Sequence, residues 1–167
     1  VYKLENKAVA GECKFKHEGV GFNKPVRDTL DAAFENFETL GPRVAPGMHI
    51  ASKDYLLFYN DLQGKGLSDE ISLAEFVGLC SAAANRPVMA ALAVPGILRV
   101  SGTMDVIRGL EDIMRVAKNA GAKRIVLPYA CIQDLQTVSP EIITGLSPVF
   151  YQNDDPVDAA KKALDLQ

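Results

Sequence analysis

The segment Ser72–Ala84 reads Ser-Leu-Ala-Glu-Phe-Val-Gly-Leu-Cys-Ser-Ala-Ala-Ala, and it constrains the fold more than any other part of the chain. Leu73, Phe76, Val77, Cys80, Ala83 and Ala84 recur at the spacing of one helical face. Many residues of the segment are small, so this helix must lie close against a sheet or another helix. Asn85, Arg86 and Pro87 then stop it. A helix of this kind needs a partner layer, and the rest of the sequence supplies candidates.

Short apolar runs surround it. Residues 55–59 form a continuous run rich in aromatics, the mark of a buried strand. Residues 125–127, ended by Pro128, form a second, and residues 148–151 a last short one. Residues 88–94 and 97–100 read as two strands interrupted by Pro95-Gly96, and residues 1–15 as a strand forming one arm of a hairpin. Helical stripes alternate with these runs. One covers residues 24–40, where Asn23 is a candidate cap, Pro25 sits in the first turn, and Gly41-Pro42 mark the end. Another covers residues 110–120, with Leu110, Ile113, Met114 and Ala117 on one face and Gly121 after it. Shorter helical pieces are expected around Gln133 and over residues 140–145. The last helix covers residues 155–164, with Asp155 as cap, Pro156 at the first position and Asp158 in the first turn. The order predicts an α/β (α+β) domain with a mixed sheet and packed helices.

With 167 residues, 48% of them hydrophobic, the chain suits one domain with a real core. The net charge of −3 comes with no basic stripe, which argues against nucleic-acid binding by this segment alone. No apolar stretch reaches the length of a membrane span, and the opening residues do not resemble a signal peptide. The chain begins at Val1 rather than Met, as a piece of a longer protein would. Cys13, Cys80 and Cys131 are odd in number and widely spaced, so neither a disulfide framework nor a zinc site is expected, and a cytoplasmic location fits. Cys80 reads as a core thiol. His17 and His49 have no second ligand at metal-binding spacing.

Chemistry is less plainly written. Gly19-Val-Gly21 and Gly64-Lys-Gly66 lack phosphate-loop spacing and read as turn glycines. Ser68 and Ser72 stand at a helix start after a Gly-rich stretch, where backbone N–H groups can receive an oxyanion. Yet Ser72-Leu-Ala-Glu75 also has the form of a capping box, and Ser68 can cap a helix starting a turn earlier. Asp69 and Glu70 are adjacent, so they point about 100° apart on a helix and suit its positive end better than paired acid–base work.

The stretch 72–128 resembles the second half of the Lon proteolytic domain. Its features run in that family's order: Asn85-Arg86-Pro87-Val88, then Gly96 and Gly102, then Val106-Ile-Arg-Gly-Leu110, then Ala120-Gly-Ala-Lys-Arg-Ile-Val-Leu-Pro128. Pro148-Val-Phe-Tyr151 and the helix after Asp155 are similar to its final strand and helix. Ala10-Gly-Glu-Cys-Lys-Phe15, Gly19-Val-Gly-Phe-Asn23 and Phe76-Val-Gly-Leu-Cys-Ser81 extend the likeness, over nearly the whole chain, to the Lon-related proteins of bacteriophage-exclusion (BREX) systems.

The resemblance implies a Lon-type fold and an AAA+ ATPase upstream on the same polypeptide. ATP and Mg would bind there and no cofactor or metal in this domain. It further implies self-association into rings, a part in phage defence, and DNA contacts only through the full-length protein. Lon enzymes use a Ser–Lys dyad. The ungapped match puts Glu70 at the serine position and Ile113 at the lysine position; a local shift offers Ser68 or Ser72 instead. Three readings compete. One is a proteolytically inactive Lon-like domain serving assembly or partner recognition. Another is an active Ser peptidase using Ser68 or Ser72, and the third a stand-alone binding module.

Overall fold

A computed structural model describes residues 1–18, 24–62 and 69–166. Gly19, Gly21, Asn23, Gly64, Gly66 and Ser68 lie outside the described residues. The strands are β1 (Tyr2–Ala10), β2 (Phe15–Glu18), β3 (Lys53–Asp61), β4 (Leu92–Ala93), β5 (Arg124–Pro128) and β6 (Ser147–Tyr151). The helices are α1 (Lys24–Val44), α2 (Ser72–Ala84), α3 (Leu110–Asn119), α4 (Ile132–Leu135), α5 (Pro140–Thr144) and α6 (Pro156–Ala163).

The strands form two three-stranded sheets. In the first, here sheet A, the order is β1-β3-β2; β1 runs antiparallel to β3 and β2 parallel to it. In sheet B the order is β4-β5-β6, and every pairing is parallel. The inner face of sheet A packs on α1 and α2. Helix α6 touches α1, α2, β5 and β6 and so joins the two halves. α3 and α5 cover the far side of sheet B through Leu110, Met114, Ile125, Leu127 and Ile142.

The helix of residues 72–84 has the expected bounds and sits at the centre, with Leu73, Phe76, Val77, Leu79 and Cys80 at most 1% exposed. Asn85 ends it in the left-handed conformation, with φ of 51°. The cap of α6 is also as expected: Asp155 Oδ1 accepts from the Asp158 N–H at 3.0 Å.

Several expectations are corrected. Helix α1 does not end at Gly41-Pro42 but runs to Val44. Pro42 withholds one N–H from the Glu38 carbonyl, yet Gly41 and Val44 are buried, with Gly41 against Ile50 and Phe37. Burial of that last turn outweighs the missing bond. β1 is not a hairpin arm, because β3 lies between it and β2. β3 is buried on one face only: Tyr55 and Leu57 are inside while Phe58 is 44% exposed. Residues 88–94 give only the two-residue β4, and residues 97–100 only a bridge between Leu98 and Met104. Ala91 at φ 54° and Gly96 at φ 149° bend the backbone out of the ladder on either side of β4.

Candidate functional site at the start of α2

The residues that open α2 carry the sequence-level case for chemistry. A short 3-10 turn, Asp69–Ile71, leads into the helix, and Glu70 on that turn is exposed. Ser72 follows at 1% exposure, and its Oγ accepts the Leu98 N–H at 2.7 Å. The capping box is therefore not formed. Ile71 occupies the cap position without a side-chain bond, and Ser72 lies one residue inside the helix. A buried Leu98 amide needs an acceptor, and the serine oxygen provides it. Ser72 borders a cleft whose ionisable lining groups are Asp28 and Arg99. Arg99 pairs with Asp105, and no Lys or His lines that cleft among the described residues.

Glu75, the expected reciprocal partner of Ser72, turns into the core instead. It is fully buried, and burial raises its carboxyl from 4.5 to about 8, against a smaller lowering by the Asn6 amide. Asn6 Nδ2 donates to Glu75 Oε2 at 3.2 Å. The inner face of β1 made this pair legible in part. Tyr2, Leu4, Asn6 and Ala8 alternate inward, and Asn6 interrupts an otherwise apolar or aromatic row. Glu75 is likewise the one charged residue in the α2 sequence.

Ile113 is half-buried on α3 and packs into the cluster that includes Leu110, Met114 and Ala117. The cations that follow on the helix are engaged. Arg115 donates to Asp112 at 2.8 Å and to Glu111 at 3.2 Å. Lys118 Nζ donates to the Glu141 carbonyl. Cys80 is fully buried, which raises its thiol pKa and fits a core thiol. His17 stands edge-on to Phe15 with ring centroids 5.4 Å apart, and His49 is exposed. No group of three or more His, Cys, Asp or Glu among the described residues could hold a metal ion.

The sequence profile of the Lon protease (S16) C-terminal proteolytic domain matches residues 65–164. The chain belongs to the Lon C-terminal domain family. It is 36% identical over 166 residues to the Lon-like protease BrxL of Bacillus cereus (strain H3081.97), covering 99% of this chain and 24% of that protein. It is 31% identical over 164 residues to the Lon-like protease BrxL of Escherichia coli O9:H4 (strain HS), covering 98% of this chain and 23% of that protein. A mitochondrial Lon protease homolog of Yarrowia lipolytica is 33% identical over 95 residues, 55% of this chain and 8% of that protein. The chain thus spans about a quarter of the length of its BrxL relatives. Glu70 and Ile113, which the sequence resemblance alone assigns to the dyad, carry an exposed carboxylate and a half-buried apolar side chain. No described helix is long and apolar enough to cross a membrane.

Proposed function

We propose that this Lon-like domain has no working Ser–Lys dyad and serves assembly or partner recognition in a larger cytoplasmic AAA+ protein of phage defence. The observation that carries the reading is the engagement of Ser72, whose buried Oγ already serves the Leu98 amide. A serine hydroxyl is a weak nucleophile without an adjacent base. Ile113 cannot accept a proton, Arg115 is engaged by Asp112 and Glu111, and Lys118 is held by the Glu141 carbonyl. General-base assistance, worth roughly 10²–10⁴-fold, is then missing. The likeness to BrxL proteins, of which this chain covers about a quarter, supports a longer parent that carries the ATPase, its ATP and Mg, the ring contacts and any DNA contacts.

The word protease in the names of those relatives favours a second reading, an ATP-dependent Lon-type serine peptidase using Ser68 or Ser72. One experiment separates the two. The full-length protein, with ATP and Mg, is given casein and fluorogenic peptides and then a serine-reactive covalent probe. We expect no turnover above the buffer blank and no labelling. Cleavage abolished by Ser68→Ala or Ser72→Ala establishes the peptidase and ends the first reading.

A further inference from the structure

Among the described residues, two buried side-chain oxygens remain without a hydrogen bond: Asn6 Oδ1 and Glu75 Oε1. They belong to two side chains already joined at their other ends by Asn6 Nδ2 and Glu75 Oε2. Both free atoms are acceptors if the carboxyl is ionised, and each then stands desolvated with nothing to bind. One proton on Oε1 changes both: the acid O–H becomes a donor, and Asn6 Oδ1 is the acceptor on its partner. We propose that Glu75 is a neutral carboxylic acid in a reciprocal acid–amide pair with Asn6, a proton-dependent clamp fastening β1 to α2.

The surroundings support the neutral form. A Cβ on Gly78, one turn along α2, would fall 2.2 Å from Asn6 Nδ2, so glycine there makes the room that brings the amide against the helix. Among the described residues no cation pairs with the carboxyl. On β1, Lys3, Glu5 and Lys7 point to the opposite face and are exposed. On β3, Tyr55 and Tyr59 share the inner face, and Asp61 stands at the far end of the strand. Tyr55 donates its hydroxyl to the Ile50 carbonyl, and Lys53 reaches the Ala83 carbonyl at the other end of α2. His17 is on β2, across β3 from Asn6. The charged side chains of α1, including Arg27, Asp28, Asp31 and Glu35, are exposed. On α6, Asp158 accepts from the Gln152 N–H, Lys161 is half-buried and Lys162 is exposed. Glu70 on the 3-10 turn is exposed, and Cys80 on α2 itself is a buried thiol.

The clamp predicts a pH dependence with a definite sign. In the unfolded chain the carboxyl ionises at its ordinary value of 4.5, and burial in the folded chain pushes it up to about 8. Between those values the folded state keeps a proton that the unfolded state has released. Stability from the neutral pair is therefore fully present below the lower value and is lost as pH rises through the upper one.

The test compares the wild-type chain with Glu75→Gln by urea unfolding from about pH 5 to about pH 9. Glutamine keeps the shape, donating to Asn6 Oδ1 and accepting from Asn6 Nδ2 without titrating. The folding constant of Glu75→Gln relative to wild type should rise about tenfold per pH unit until about pH 8, then level. A ratio that stays constant across the range overturns the proposal. If the variant does not fold, infrared spectra of wild type decide the matter. A carboxylic-acid C=O band must be present at about pH 7 and vanish on alkaline titration; only carboxylate bands at that pH refute the neutral acid.

Discussion

Sheet A and sheet B each have three strands, but they meet solvent differently. Sheet A turns Lys3, Glu5, Lys7 and the half-exposed Phe58 outward, and buries alternate residues against α1 and α2. Sheet B is covered on both faces, so β5 buries Ile125, Val126 and Leu127 in succession. Val126 faces the central cluster shared with α2 and α6, and its two neighbours face α3 and α5. One-sided covering leaves half the side chains of a strand free to vary, whereas two-sided covering leaves none. The antiparallel pairing lies in the half-exposed sheet and the purely parallel sheet is enclosed, as the need to carry crossover helices requires.

The largest test of this contrast is Leu127→Ala. Leu127 is fully buried, and its truncation should cost about 2–5 kcal/mol by urea unfolding. A loss under about 1 kcal/mol would mean that β5 is not enclosed as described. Next is Ser72→Ala, which leaves the Leu98 N–H buried without its acceptor. The expected loss is about 1–3 kcal/mol, read from the same transition. An unchanged midpoint with a lost enzymatic activity would place Ser72 with the chemistry rather than the scaffold. Asp155→Ala removes a helix cap beside sheet B and should cost about 1 kcal/mol, measured as a lowered thermal midpoint. The smallest effect belongs to the open face of sheet A. Phe58→Thr should change stability by no more than about 0.5 kcal/mol, and a larger loss would mean that a further element covers that face.

The sequence disclosed elements whose signals are local and agree with tertiary demands. The stripe of α2, the Asn85 stop, and the Asp155-Pro156 start are of this kind. It misled where tertiary packing overrode a strong local signal. Pro42 reads as a stop, but the buried Val44 carries the helix past it. Ser72 and Glu75 have capping-box spacing, yet the first is drawn to Leu98 and the second to Asn6, both far away in the chain. The candidate site was legible only as a place, the start of α2. Which side chains there are engaged depends on the loop carrying Leu98 and on β1; the first contact leaves no trace in local periodicity, and the second only Asn6 in the inner row of β1 and Glu75 in α2.

The pairing of β1 with β3 also governs how this chain can acquire its shape as it leaves the ribosome. Tyr2 finds Asp61, and Ala10 finds Lys53, only after β2 and all of α1 have been made. Until then β1 has neither its ladder partner nor a cover for Leu4 and Ala8, and α2, which supplies much of that cover, emerges later still. β1 is therefore a nascent segment whose partners are not yet synthesised, open to chaperones or to strands of neighbouring nascent chains. Its outward row of Lys3, Glu5 and Lys7 sets charges beside the apolar inner row during that interval, which disfavours premature pairing with another chain.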